Sequence, residues 1–154
     1  MITEEIRDLL RLKEFVFVAT YSPDGVPNSA PKFLVKSEGN FIYLADFVIG
    51  QTWENLKLNP KASLSFMDIK ELTGYQINGS VELLNSGKEY DKTIQELEKK
   101  EVSFTSKHII EELREQATYN EYEVTFPKRV VIFKIKVEGV TKIGPKGNLA
   151  KEIT

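Results

Sequence analysis

The chain has 154 residues, 41% of them hydrophobic and 29% charged, with a net charge of −2. That length suits one globular domain, and the charge balance carries no basic excess of the kind nucleic-acid binders show. Cysteine is absent, which excludes disulfides, thiolate metal sites and cysteine nucleophiles together.

Thr3 can cap a short first helix, with Glu4 and Glu5 in its first turn and Ile6, Leu9, Leu10 and Lys13 at helical spacing. The acidic start does not fit a secretory leader, and no apolar run is long enough to span a bilayer, so a cytoplasmic location is expected. Residues 15–21, FVFVATY, form a compact apolar run of strand formers. Ser22-Pro23-Asp24-Gly25 suits a type I turn, and the chain returns as a strand over 26–35. Pro27 and Pro31 in this second strand argue against a central, fully paired position and imply an edge, a bulge or backbone put to another use.

A third strand is expected over 41–45, then a loop over 46–51 and a short helix over 52–58 that Asn59-Pro60 ends. Alternation predicts strands over 62–66 and 75–83. The texture then turns helical. Tyr90, Ile94 and Leu97 share one face of a helix over 86–100, and Ile109, Ile110, Leu113 and Ala117 share one face of a second over 106–117. A last strand is expected over 129–141, with Val131, Phe133, Ile135 and Val137 inward and its lysines solvated on a sheet edge. The tail, 144–154, has no pattern and is expected to be loose unless a partner subunit holds it. The whole reads as a mainly β (α+β) single domain over 1–154: a six-stranded antiparallel barrel with short helices and a helical insertion at about 86–117.

Three segments can carry chemistry. Gly50, Gln51 and Thr52 open a helix, where free N–H groups favour an anion such as phosphate, although an ordinary N-cap has the same composition. Asn28, Ser29, Ala30, Pro31 and Lys32 form a strand whose small residues let a flat ligand approach and whose lysine can reach a phosphate or sit exposed on an edge. Gln76 and Asn78 project opposite the apolar face of their strand and can present amides to a heteroaromatic ring or to water. The single histidine, His108, cannot build a multi-histidine metal site, and no metal site is expected. Trp53 is either a core anchor for the short helix or a ligand neighbour.

Taken in order, ATYSPDGVPNSAPKF, FIYLAD, IGQTWENLKLNP, ASLSFMD and GYQINGSVEL resemble the FMN-binding split barrels that include the pyridoxamine 5′-phosphate oxidases, over roughly residues 12–84. The resemblance implies FMN at the interface of a homodimer. It implies that the phosphate meets Gly50, Gln51 and Thr52, that Asn28 to Lys32 line the flavin and phosphate, and that Leu44, Ala45 and Asp46 pass near the ring or ribityl chain. Gln51 stands where many relatives carry Lys or Arg, and the substrate-binding basic residues of the oxidases have no clear counterpart. The expected function is an FMN-dependent oxidoreductase of unassigned substrate. The alternatives are an FMN store or electron carrier, a barrel holding a deazaflavin or haem, and a barrel that has lost its ligand.

Overall fold

The computed structural model describes residues 1–47, 49–114, 130–145 and 149–153, the last five and 102–114 as backbone alone. In chain order the elements are α1 (Glu4–Arg11), β1 (Phe15–Tyr21), β2 (Pro27–Glu38), β3 (Phe41–Asp46), α2 (Gln51–Leu58), β4 (Lys61–Asp68), β5 (Thr73–Leu84), α3 (Lys88–Arg114), β6 (Val131–Ile143) and β7 (Leu149–Ile153). All described ladders are antiparallel, in the order β3-β2-β1-β4-β5-β6-β7, and β3 also pairs with β6. That extra ladder closes β1 to β6 into a six-stranded barrel, as expected.

The local signals explain the elements. Thr3 Oγ1 accepts the Ile6 N–H at 3.3 Å and starts α1. Gly25 donates to the Ser22 carbonyl at 2.9 Å and takes φ +77°, the left-handed value that returns the chain from a type I turn into β2. Residues 27–32 of β2 pair only with β1, because β3 joins from Phe33 onward, so both prolines lie where the strand is a local edge.

The sheet buries two separate cores. Val16, Val18, Leu34, Leu44, Leu64, Ile77, Phe133 and Ile135 fill the barrel, with Ile6 and Leu10 of α1 and Leu56 of α2. The two helices sit at opposite ends of β2: Arg7 of α1 donates to the Gly39 carbonyl, and Asn55 of α2 donates to Thr20 beside the first hairpin. Outside the barrel, Phe33, Val35, Tyr43, Ala45 and Ile132 pack against Tyr90, Ile94 and Leu97 of α3. Lys100 Nζ reaches from α3 to the carbonyls of Lys13 and Leu34, and its burial lowers its pKa.

Three expectations need correction. The two inserted helices are one continuous α3, because residues 101–105 contain no glycine or proline to break it; the expected end at 117 lies outside the described residues. The tail is not loose throughout, because Leu149–Ile153 adds to β6 as β7. And β6 is no edge strand: it pairs with β5, β3 and β7, and Lys134 is held by Glu82 and Glu89 rather than solvated. Lys128 and Arg129 lie outside the described residues.

Two contacts set the barrel's tolerances. Gly79 sits at the β5 bulge, where an added Cβ would lie 2.8 Å from Ile135 Cγ2 and closer still to the Lys136 carbonyl oxygen. Gly79→Ala should therefore cost about 2 kcal/mol or more, read as a lowered denaturant midpoint. Lys32 and Asp46 form an ion pair at 2.6 Å in which both side chains are buried. Lys32→Met should cost about 3 kcal/mol by removing the buried cation that faces Asp46, and Lys32→Met with Asp46→Leu should recover part of that loss in the same unfolding assay.

Candidate active site

Strand register carries the site. In a ladder, residues directly opposite share a face. Ser29 pairs with Ala19, Ala19 with Ser63, Ser63 with Asn78, and Asn78 with Gly139. The next row is Pro31, Phe17, Ser65, Gln76 and Thr141. Both rows lie on the outer face of the barrel. The first is small side chains for four strands, about 14 Å at the usual strand spacing, which makes a flat shelf for a planar ring. The register thus puts Ser29, Pro31, Gln76 and Asn78 on one surface.

The α2 end supplies a second part. Gly50 is the N-cap and has no side chain to cap with, so the first N–H groups of α2 are left without an intrahelical or side-chain partner. Thr52, expected to offer its hydroxyl there, is buried at 1% exposure, and its Oγ1 accepts from Asn28 Nδ2 at 3.1 Å. Asn55 Nδ2 donates to Thr20 Oγ1 at 3.1 Å, and Gln51 Nε2 to Asn55 Oδ1 at 2.7 Å. This polar cluster locks α2 onto the β1–β2 hairpin. Asn28 and Ala30 are half-buried on the barrel-facing side of β2.

The remaining expected residues lie deeper. Lys32 is engaged by Asp46. Leu44 and Ala45 are core residues at 0% and 1% exposure, one in each core, so their side chains pack rather than face a ligand. Trp53 packs on the barrel core with its ring 6.3 Å from that of Phe133, the core-anchor reading. His108 lies on α3, with its side chain outside the described set.

Two cavities open on the outer face. One, of about 360 Å³, is lined by Thr20, Tyr21, Lys61, Ser63 and Asn78 among others. The other, of about 830 Å³, runs along Phe15, Phe17, Met67, Leu72 and Gln76. They share Ala19 and Ser63 and are contiguous. Thr20, Ser63, Lys61 and the aromatic face of β1 were missed by the sequence reading. The available signal was in FVFVATY, which is apolar at every second residue on both faces, whereas a one-face-buried strand alternates with polar residues.

The electrostatics at these cavities are mild. Lys61 is held by Glu138 at 2.8 Å. Beside the larger cavity, Tyr75 donates to Glu5 Oε1 at 3.1 Å, and burial raises the tyrosine pKa, so its hydroxyl stays protonated at neutral pH. Lys142 bonds the same carboxylate and lowers the Glu5 pKa. Among the described residues the lining offers serines, amides, tyrosines, Lys13, the Lys61–Glu138 pair and apolar groups, and these contain no cluster of metal-ligating side chains.

Sequence and structure comparisons agree with this architecture. An uncharacterized protein of Methanocaldococcus jannaschii is 37% identical over 101 residues, 64% of this chain and 66% of that protein. The chain thus spans just under two thirds of that relative's length. HupZ of Group A Streptococcus superposes with a TM-score of 0.68 at 25% identity, over 97% of this chain and 99% of that one. A protein related to general stress protein 26 from Clostridium acetobutylicum, of the pyridoxinephosphate oxidase family, has a TM-score of 0.68 at 18% identity, over 97% and 92%. The same fold appears in an FMN-binding protein of Nostoc punctiforme, in an F420 reductase and in a haem-binding protein of Mycobacterium smegmatis, with TM-scores of 0.53, 0.56 and 0.65. Residues 2–143 match the family profile described as Pyridoxamine 5'-phosphate oxidase. A barrel closed by the β3–β6 ladder and a profile match across nearly all of its length lead to one conclusion: this chain belongs to the pyridoxamine 5′-phosphate oxidase family.

Proposed function

We propose that this protein binds FMN on the outer face of the barrel, at a contact between two copies of the chain, and acts as an oxidoreductase. The observation that carries the reading is the shelf Ser29–Ala19–Ser63–Asn78 beside a helix start with no side-chain cap. A planar ring rests on small residues, and a phosphate is met by free N–H groups at the positive end of α2. Gln51, exposed at the same helix start, adds an amide donor. Gln76 and Asn78 offer amides to a ring edge. Lys32 is held by Asp46 in a buried ion pair and is not a direct ligand of the phosphate in this reading. FMN, when bound, supplies the electron transfer, and the protein supplies orientation and exclusion of water.

The dimer is supported by what the outer face exposes. Phe15, Phe17, Tyr21 and Met67 are 50–58% exposed on neighbouring strands. A contiguous apolar patch of this kind marks an interaction surface. Light scattering should give twice the 17.6 kDa chain mass, and Phe17→Glu should shift the protein to that single mass. A monomeric wild type would remove the shared-site part of the proposal.

The cofactor reading is tested by titrating apoprotein with FMN, riboflavin, F420 and haem. FMN should bind more tightly than riboflavin, which lacks the phosphate. Gln51→Lys should tighten FMN about tenfold, or about 1.4 kcal/mol, and leave riboflavin unchanged. Equal affinity for FMN and riboflavin in both proteins would show that the phosphate does not lie at α2. Tighter binding of F420 or haem would change the ligand and keep the fold.

A further inference from the structure

We infer that the larger outer cavity is a substrate site for a planar, largely apolar ring compound carrying no more than one negative charge. The inference rests on the proposed cofactor seat and extends it. Its 830 Å³ lies within the range of small-molecule pockets, and it adjoins the shelf through Ala19 and Ser63. A molecule placed there lies edge-on or face-on to a ring on the shelf, the proximity that electron transfer between two bound groups requires.

The charge of the lining selects the ligand. Among the described residues, Lys13 is the one charged side chain on the cavity wall, and no carboxylate or guanidinium among them lines it. No ion pair joins Lys13 to another described residue, so one ammonium is left to meet one anionic group. A phosphate monoester dianion needs more than that: bidentate arginine, several cations or a helix start, none of which is found among the described residues of this wall. Gln76 donates its amide to Ser63 Oγ at 3.1 Å, which leaves its carbonyl oxygen as the polar acceptor between the two cavities.

The wall also contains a conformational oddity. Leu72, in the loop between β4 and β5, has φ +52°, a left-handed value costly for a branched apolar residue, yet its side chain is 62% exposed. Ile69 in the same loop is 76% exposed. The proposed contact between copies lies over Phe15, Phe17 and Met67 of this wall; within one copy, Leu72 and Ile69 gain no burial that offsets the strained backbone. A ring compound sandwiched between this loop and Phe15 and Phe17 would bury them, which is how stored strain becomes explicable.

The test uses full-length protein with FMN added, and 2-naphthoate, menadione and pyridoxal 5′-phosphate as probes in calorimetry. Naphthoate and menadione should bind the wild-type protein, and pyridoxal 5′-phosphate should bind at least tenfold more weakly. Leu72→Asp, whose backbone conformation aspartate tolerates, should weaken naphthoate at least tenfold while FMN affinity is unchanged. Lys13→Ala should weaken naphthoate several-fold and spare menadione, a split that a purely structural lysine would not produce. Retained FMN with no naphthoate or menadione binding overturns the inference and leaves the cofactor reading intact; it would mean that the second copy fills the cavity. Pyridoxal 5′-phosphate binding as tightly as naphthoate, or indifference to Leu72→Asp, also overturns it. Ring-compound binding without FMN binding supports the cavity and removes the cofactor reading.

Discussion

Closure of the barrel by the β3–β6 ladder determines almost everything else about this chain. Six residues of β3, Phe41 to Asp46, pair with β6, and the sheet then has an inside that is filled and an outside that is not. A barrel buries only one face of each strand. Any strand apolar on both faces must find a second cover. The β2, β3 and β6 side finds it in α3, through Phe33, Val35, Ile132 and Leu97. The β1, β4 and β5 side has no such cover within the described chain, and Phe15, Phe17 and Met67 stay exposed there. The candidate site lies on that uncovered side, so site and contact surface have one origin.

The polar features serve this arrangement. Thr20, Asn28, Thr52 and Asn55 form a buried network that fixes α2 against the first hairpin and so fixes where its free N–H groups point. The Lys32–Asp46 pair ties β2 to the last residue of β3, next to the loop that leads into α2. On the far side, Glu89 of α3 accepts from Tyr43 and from Lys134, whose ammonium also lies over the Phe41 ring. Of these, the Lys32–Asp46 pair is buried, and a buried pair can fix registry as well as stability. The Thr20–Asn28–Thr52–Asn55 network holds α2 beside the first hairpin, and the Glu89 contacts hold α3 on the opposite side.

Much of the candidate site was legible residue by residue but not as an arrangement. Gly50, Gln51 and Thr52 were recognisable as a helix start, yet only the fold turns Thr52 inward to Asn28 and leaves Gly50 as an uncapped N-cap. Leu44 and Ala45 belong to a segment that the family resemblance associates with the cofactor, but Leu44 faces the filled barrel and Ala45 the core under α3, so both faces of the strand are covered. Lys32 reads as a free cation because its partner is 14 residues away, and sequence spacing does not reveal a cross-strand ion pair.

The sequence by itself determined the elements whose causes are local: the Thr3-capped α1, the Ser22–Gly25 turn, the proline-marked open half of β2, the Asn59-Pro60 stop and the alternating strands. Its ordered segments also resemble those of the pyridoxamine 5′-phosphate oxidase family, to which the profile match assigns the chain. Only the tertiary structure decided what depends on partners far apart in the chain. Helical periodicity alone cannot tell one 27-residue helix from two short ones, and pairing energy from Gly139–Ile143 turned a patternless tail into β7. The shelf itself joins residues 19, 29, 63, 78 and 139, which no local rule relates. They become neighbours through register, and register is a property of the closed sheet.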